Sequence, residues 1–184
     1  MINIYELKLT NLQQRILRLL FVKMGIGIKL NALGLARNLS VSQPAISKSL
    51  PLMIKENLIK VEKDKDSGRL SIEANRDNPK ILQLKRVDNL KLIYESGLAD
   101  YLEKEFAGGT IILFGSYSRG DDIFNSDIDI VIIGRKDKLV NLGKFEEVLE
   151  KEIRINFYNS FKDIHKNLKN NILNGIIISG GVEL

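Results

Sequence analysis

The sequence predicts an α+β protein built from two units of different texture. In the first, three stretches with apolar residues at helical spacing precede two short alternating strands around a turn. In the second, short apolar strands alternate with helical stretches. The charge divides in the same way, because residues 1–76 carry 13 Lys and Arg against 6 Asp and Glu, whereas residues 77–184 carry 15 against 17. We therefore expect domains at 1–76 and 108–184, joined by a helical linker over 77–107.

The composition excludes several classes of site. The 184 residues include no cysteine and one histidine, His165, which excludes disulfides, thiolate zinc sites and multi-histidine metal centres. No apolar run approaches the roughly 18 residues that span a bilayer. The N-terminus MINIYELKLT lacks the basic start and apolar core of a signal peptide. We therefore expect a cytoplasmic protein with no membrane partner, in which oxygen atoms serve as ligands for any metal.

Each of the first three helices begins after a capping residue. Thr10, Asn31 and Ser42 each precede an apolar pattern of helical spacing, and their side chains suit an N-cap. The third helix, QPAISKSLPLMIKENL, carries Pro44 in its first turn, where proline is tolerated. Pro51 lies in the interior of this helix, where proline removes a hydrogen bond. We therefore expect the third helix to be kinked or shortened.

A basic hairpin follows the three helices. The stretches LIKVE and RLSIE flank the turn KDKDSG, and together they predict two antiparallel strands. Three helices with a short second connection and a hairpin have the layout of a winged helix-turn-helix. The segment SVSQPAISKSLPLMIKENLI resembles the recognition-helix region of MarR- and ArsR-like regulators. This resemblance implies that a set of polar residues near the start of the third helix faces DNA, namely Ser42, Gln43, Ser47 and Lys48.

The hairpin offers a second set of candidate DNA contacts. Lys63, Lys65 and Arg69 suit the DNA backbone or the minor groove, and their contacts would weaken as salt rises. Asp64 and Asp66 alternate with these basic residues and weaken the hairpin as a phosphate clamp. The competing interpretation is that this unit docks a protein or forms a homodimer, as some winged helices do.

The second unit begins with helices and continues with alternating strands and helices. A helical pattern from Pro79 is interrupted at Ser96–Gly97 and resumes in LADYLEKEF. Three strands are predicted, TIILF at 110–114, DIDIVII at 127–133 and EIRINFY at 152–158, with helices after the first two. A helical stretch follows from Phe161, and the tail GIIISGGVEL fits either a helix end or a strand.

One motif in this unit carries chemistry. Gly115 and Ser116 are followed by ten residues and then by Asp127 and Asp129, in the run GSYSRGDDIFNSDID. This run resembles the G-S-x10-D-x-D motif of the DNA polymerase β-like nucleotidyltransferases, especially their minimal form. The resemblance implies a mixed sheet flanked by helices. It also implies transfer of a nucleoside monophosphate from a nucleoside triphosphate, with ATP favoured, to an acceptor that the sequence does not identify.

The residue types in the motif suit this chemistry. Asp127 and Asp129 alternate on a strand, so they project to one face about 7 Å apart and can hold two Mg²⁺ or Mn²⁺ ions. Gly115 permits close approach of a nucleotide, and Ser116 offers a hydroxyl and backbone N–H groups to phosphates. Arg119 either adds charge to the phosphate site or fixes the loop. Ser126, before the first aspartate, also fits the motif as a nucleotide-binding position.

One departure from the family pattern affects the expected activity. The resemblance implies a third carboxylate on the strand EIRINFY, where Arg154 or Asn156 occupies the expected position and Glu152 lies early. Neither Arg154 nor Asn156 can act as a base. Asp121 and Asp122, within the motif loop, fit loop caps better than ligands. Nucleotide and metal binding are therefore expected to survive, with catalysis slow, altered or absent.

Three functions stay open at this point. The favoured one is an active nucleotidyltransferase that the winged helix brings to nucleic acid, with a protein or RNA as acceptor. The second is a DNA-binding regulator whose degenerate transferase domain senses nucleotide. The third is an antitoxin-like role, since minimal nucleotidyltransferases that resemble this one act on a small HEPN partner.

Overall fold

The computed structural model describes residues 9–26, 30–63, 68 and 70–182. The chain divides into two compact units between Ile81 and Leu82. This division falls inside a helix, a few residues beyond the expected end of the first domain, and the second unit begins well before the expected residue 108. None of the described helices combines the length and the apolar character that crossing a bilayer requires.

The first unit is a winged helix-turn-helix. It consists of helices α1 (Asn11–Val22), α2 (Ala32–Leu39) and α3 (Gln43–Lys55), followed by strands β1 (Ile59–Lys63) and β2 (Leu70–Ala74). The two strands form an antiparallel hairpin, and Leu30 adds an isolated antiparallel bridge to Ile72. The predicted order of three helices and a hairpin is confirmed.

The predicted caps hold the starts of the three helices. The Thr10 hydroxyl accepts the backbone N–H of Gln13, whose side chain accepts the N–H of Thr10 in return. Asn31 and Ser42 cap the next two helices through their side-chain oxygens. These contacts satisfy N–H groups that the first helical turn leaves unpaired.

Pro51 does not end the third helix. Helix α3 continues through Pro51 to Lys55 and stops before Asn57, which adopts a left-handed backbone with φ +55°. The helix is therefore shorter than predicted, but its end follows from the turn at Asn57. Ile46 and Met53, about two turns apart on α3, are fully buried, so the opposite face of the helix remains for solvent.

The second unit contains one mixed sheet. Its elements are α4 (Pro79–Glu95, which begins before the division), α5 (Leu98–Glu105), β3 (Thr110–Phe114), α6 (Gly115–Arg119), β4 (Ile128–Ile133), α7 (Gly143–Leu149), β5 (Ile153–Tyr158), a 3₁₀ turn (Phe161–Asp163), α8 (Lys166–Leu173) and β6 (Ile176–Ser179). The strand order is β5-β4-β3-β6, with β4 and β5 parallel and the other pairs antiparallel. The tail that left helix or strand open is strand β6.

Both faces of the sheet are covered. Ile128, Ile130 and Ile132 of β4 pack into one core with α5 and α7, whereas Val131 and Ile133 pack into a second core with α8. Burial on both faces explains the uninterrupted apolar run of β4. Helix α5, which the sequence suggested as part of a linker, contributes buried residues to the first of these cores and belongs to the second unit.

Candidate active site

The two aspartates of the motif lie where β4 begins, beside the end of β3. Asp129 pairs in register with Phe114 of β3 and with Arg154 of β5, and Asp127 stands two residues earlier along the chain. Both carboxylates are partly buried. Strand β3 runs directly into Gly115, so the Gly-Ser pair and the two aspartates meet at one edge of the sheet.

Gly115 makes room for the Asp129 carboxylate. Its φ is +75°, and a Cβ added there would overlap Asp129 Oδ2 and lie 3.2 Å from Asp129 Cγ. A side chain at this position would therefore collide with the carboxylate as well as strain the backbone. The start of α6 is held by Ser118, whose hydroxyl donates to the Gly115 carbonyl at 2.9 Å. Ser116, the next residue after Gly115, is partly exposed beside this contact.

The charges of the site favour a cation. Burial raises the pKa of Asp129, the charge of Asp127 raises it further, and Arg154 and Arg119 partly offset both effects. A divalent cation would relieve the repulsion between the two carboxylates, and hard oxygen donors suit Mg²⁺ or Mn²⁺. Among the residues that the structure describes, no group of three or more His, Cys, Asp or Glu side chains is placed to hold a metal.

Arg154 is one of the two residues, with Asn156, at which the family resemblance implied an acid. Its Nη1 lies 2.9 Å from Asp127 Oδ2, and its Nε lies 3.4 Å from Glu152 Oε1. Asn156 pairs in register with Val131, two residues beyond Asp129 on β4. The site therefore combines two carboxylates with a guanidinium, an arrangement that the sequence did not predict.

The other two candidate nucleotide residues have contacts within the loop between α6 and β4. Arg119 pairs with Asp121, with Nε and Oδ2 3.2 Å apart, and both side chains are largely exposed. Its charge also lowers the pKa of Asp129, so Arg119 lies within electrostatic reach of the aspartates. The Ser126 hydroxyl accepts the Ile123 N–H at 3.0 Å. Both residues thus shape the loop.

Asp122 is the centre of a buried polar network and is not a loop cap. Its side chain is 2% exposed, Lys85 Nζ lies 2.8 Å from its Oδ1, and Lys151 Nζ lies 3.5 Å from its Oδ2. Asn89 donates to Asp122 Oδ1 at 2.7 Å and to the Tyr117 carbonyl at 2.8 Å. Lys85 also donates to the Asp122 carbonyl. These contacts fix the motif loop to helix α4.

A signal for this network exists in the sequence of α4. Ile81, Lys85, Asn89 and Ile93 follow one another at intervals of four and are all buried. A search for apolar periodicity passes over this face because two of its four members are polar. A partner for the buried lysine, Asp122, lies far away in sequence, so spacing alone does not identify it.

Lys151 holds the second half of the motif loop. Its ammonium donates to the carbonyl oxygens of Ile123 at 2.8 Å, Phe124 at 3.2 Å and Ser126 at 3.1 Å. The residue lies between α7 and β5, on the far side of β4 in the sequence. Lys151 therefore helps to fix the backbone just before Asp127, a role that the sequence analysis did not identify.

The candidate DNA contacts of the first unit are exposed where the structure describes them. Gln43, Ser47 and Lys48 of α3 are exposed. Ser42, which caps the helix, and Lys63, at the end of β1, are exposed as well. Lys65 and Arg69 lie outside the described residues. The structure thus brings four of the seven predicted contacts together at the start of α3.

Sequence comparison connects the second unit to known proteins. Residues 95–179 match the model of the family described as “Nucleotidyltransferase domain”. A protein of Methanocaldococcus jannaschii, described as a “Putative protein adenylyltransferase”, is 43% identical over 67 residues, which cover 34% of this chain and 69% of that protein. The matched family segment contains the Gly-Ser pair, both aspartates and Arg154.

Structural comparison gives more distant likenesses. The adhesin competence repressor of Streptococcus pyogenes has a TM-score of 0.39 at 24% identity, covering 54% of this chain and 69% of its own. MepR, a transcription regulator of a multidrug efflux pump of Staphylococcus aureus, has a TM-score of 0.40 at 20% identity, covering 53% and 72%. Both TM-scores are low, and the assignment of the first unit rests on its own helices and hairpin.

Proposed function

Because the chain belongs to the nucleotidyltransferase family, we propose that it transfers a nucleoside monophosphate from ATP to an acceptor hydroxyl. The observation that carries this proposal is the meeting of Asp127 and Asp129 with the Gly115–Ser116 pair at one edge of the sheet. Paired carboxylates and an open backbone turn are the parts that phosphoryl chemistry needs. In the reaction the acceptor oxygen bonds to the α-phosphorus, the bond to the bridging oxygen breaks, pyrophosphate leaves and the hydroxyl proton passes to solvent.

Each motif residue has a role in this proposal. Asp127 and Asp129 would hold the divalent cations, Mg²⁺ or Mn²⁺, which in two-metal transferases activate the acceptor oxygen and stabilise the leaving pyrophosphate. Ser116 would bind the β- and γ-phosphates through its hydroxyl and backbone N–H. Arg119 and Ser126 shape the loop that borders the nucleotide, and Arg119 adds positive charge close to it.

A protein hydroxyl is the proposed acceptor. The relative from Methanocaldococcus jannaschii is described as an adenylyltransferase that acts on protein, and this description supports a protein over an RNA acceptor here. An RNA acceptor is the alternative that the same assay distinguishes, because labelled product would then be sensitive to ribonuclease and resistant to protease.

Transfer of label from ATP tests the proposal. The full chain is incubated with Mg²⁺, α-labelled ATP and cell extract, and labelled products are separated. We expect Asp129→Asn to transfer label at least about a hundredfold more slowly than the unaltered chain. Substitution of residues that only orient metal ligands already lowers metal affinity or activity by about 10–100-fold, and Asp129 is a proposed ligand itself. Asp137→Asn makes the same chemical change at an exposed residue of the same unit and serves as the control. Equal transfer by Asp129→Asn would refute the assignment of the site.

A second candidate function is a regulator that senses nucleotide. Arg154 favours it, because no acid faces Asp129 from β5 and the site therefore lacks a base for the acceptor. In this case the chain binds ATP with no transfer to any acceptor. ATP binding measured by calorimetry, beside the transfer assay, separates the two functions.

We also propose that the winged helix binds DNA through the exposed start of α3. Short polar side chains and a lysine on the first turns of a helix suit the major groove and the phosphates beside it. Retardation of duplex DNA by the full chain tests this proposal, and absence of any retardation at low salt would favour a protein-docking role.

A further inference from the structure

Arg154 already binds one of the two carboxylates that the proposed function assigns to metal. Its guanidinium lies 2.9 Å from Asp127 Oδ2, close enough for a charge-assisted hydrogen bond. The hydrogen bond to Glu152 is the largest cause of the raised pKa of Arg154. The charges of Asp127 and Asp129 raise that pKa further. The pair of aspartates is therefore partly neutralised by the chain itself.

We propose that Arg154 is a built-in competitor of the divalent cation for Asp127. The inference rests on the proposed function only in taking Asp127 and Asp129 as the cation site. A metal ion bound to Asp127 Oδ2 would displace the guanidinium, and one bound to Oδ1 would be repelled by the positive charge beside it. In both positions the two cations oppose each other at this carboxylate. Arg154 thereby weakens metal binding and sets the metal concentration at which the site fills.

Glu152 offers Arg154 a second acidic partner, which remains when a metal ion takes Asp127. Its Oε1 lies 3.4 Å from Arg154 Nε, on the edge of the guanidinium that does not face Asp127. When Asp127 releases Arg154, the guanidinium keeps an acidic neighbour. The side chain of Arg154 is also 57% exposed, so water already surrounds much of the guanidinium while it is paired with Asp127. The displaced guanidinium then stands beside the site, where a triphosphate brings negative charge.

The size of the effect follows from the exposure of the pair. Exposed ion pairs are weak and screened by salt, so we expect a change in metal affinity of about three- to fivefold. The effect should shrink as the NaCl concentration rises, because screening acts on the Arg154 charge as it does on other surface pairs. A purely structural role for Arg154 predicts the opposite sign, since loss of the ion pair would then loosen Asp127 and weaken metal binding.

Calorimetric titration of Mn²⁺ into the nucleotide-free full chain tests the inference. We expect Arg154→Gln to bind Mn²⁺ about three- to fivefold more tightly than the unaltered chain. Arg154→Lys keeps the positive charge and should stay within about twofold of the unaltered chain. Lys136→Gln removes the same charge from an exposed residue elsewhere in the unit and should also stay within about twofold. A melting curve for each variant verifies that the unit is folded.

The outcomes separate this inference from the proposed function. If Arg154→Gln binds Mn²⁺ with equal or lower affinity, and Asp129→Asn abolishes binding, the competition is refuted and the metal site stands. If neither the unaltered chain nor Arg154→Gln binds Mn²⁺, both the competition and the metal site are refuted. If Arg154→Gln binds Mn²⁺ more tightly and neither Arg154→Lys nor Lys136→Gln does, the inference is supported, whatever the rate of transfer.

Discussion

Gly115 shows how strongly a single position constrains the site. The residue combines a positive φ with a carboxylate placed where a Cβ would stand. Two separate penalties therefore oppose any other residue, one in the backbone and one at Asp129. The Gly-Ser pair of the motif follows from this packing even before a nucleotide is considered.

We predict that Gly115→Ala impairs both stability and transfer. The left-handed backbone alone costs about 1–2 kcal/mol for a residue with a Cβ, and displacement of Asp129 adds to this. Thermal unfolding and the label-transfer assay measure the two effects. Gly143→Ala is the matched control, because a Cβ there meets only ordinary contact, with Asn141 Oδ1 at 3.7 Å, and should change little. An unchanged melting temperature in Gly115→Ala would contradict the packing argument.

Asp129 illustrates the conflict between stability and function at this site. Its pKa is raised in the folded chain, chiefly by burial and then by Asp127. A carboxyl whose folded pKa exceeds its unfolded pKa disfavours folding once it is ionised, and the penalty disappears as pH falls through the folded pKa. The site therefore lowers the stability of the metal-free chain at neutral pH.

We predict that Asp129→Asn raises the melting temperature of the metal-free chain at pH 7. The gain should be largest above the folded pKa of Asp129 and should narrow as pH falls through it, because the unaltered carboxyl then becomes neutral as well. Melting curves in EDTA across the acidic range measure this difference. A gain that is absent at pH 7, or that grows toward acidic pH, would show that the raised pKa has been assigned the wrong sign.

At the level of elements, helix α4 and the motif loop are joined by buried charge. Lys85 and Asp122 are both almost fully buried, and Asn89 completes the contacts of the carboxylate. Buried ion pairs contribute little net stability, but removal of one partner leaves an uncompensated charge. Gly120 reinforces the same junction, since a Cβ there would collide with the α4 backbone, lying 2.7 Å from Arg86 N.

We predict that Asp122→Asn lowers the unfolding free energy by about 3–5 kcal/mol, because Lys85 and Lys151 then lack a buried negative charge between them. Asp121→Asn is the matched control: its pair with Arg119 is largely exposed, so its effect should stay below about 1 kcal/mol. Urea denaturation of the full chain, followed by circular dichroism, compares the two. Similar losses in both variants would argue against a special role for the buried pair.

The same elements show what sequence reasoning can and cannot reach. Capping residues and local turns act within three or four positions, so Thr10, Asn31 and Ser42 were predicted correctly. The strands at 110–114 and 128–133 were found because their apolar runs are local as well. Contacts between distant segments leave no such signal, and the pairs Lys85–Asp122 and Arg154–Asp127 were missed for that reason.

For the whole molecule, the net charge of +5 is an average over two different surfaces. Residues 1–76 carry the positive excess, together with the exposed polar start of α3. The second unit is close to neutral, and Asp127 and Asp129 are met by Arg154. Any affinity for polyanions is therefore expected to arise from the first unit.

We predict that Lys48→Gln weakens DNA binding by the full chain and reduces its salt dependence. Loss of one phosphate contact should lower the slope of log affinity against log salt by about 0.9. Lys55→Gln, at the other end of α3, is the matched control and should leave the slope unchanged. Titrations at several NaCl concentrations give both slopes. A larger change in Lys55→Gln would place the interface at the opposite end of the helix.

The hydrogen bonds from Lys151 to the motif loop affect which sequence changes the loop can accept. Its ammonium binds three backbone carbonyls, at Ile123, Phe124 and Ser126, and a carbonyl is present whatever side chain a residue carries. Substitutions at these positions thus leave the hydrogen bonds from Lys151 in place, whereas an insertion or deletion moves the carbonyls out of its reach. We therefore expect Ile123 and Phe124 to tolerate substitution better than the loop tolerates a change in its length.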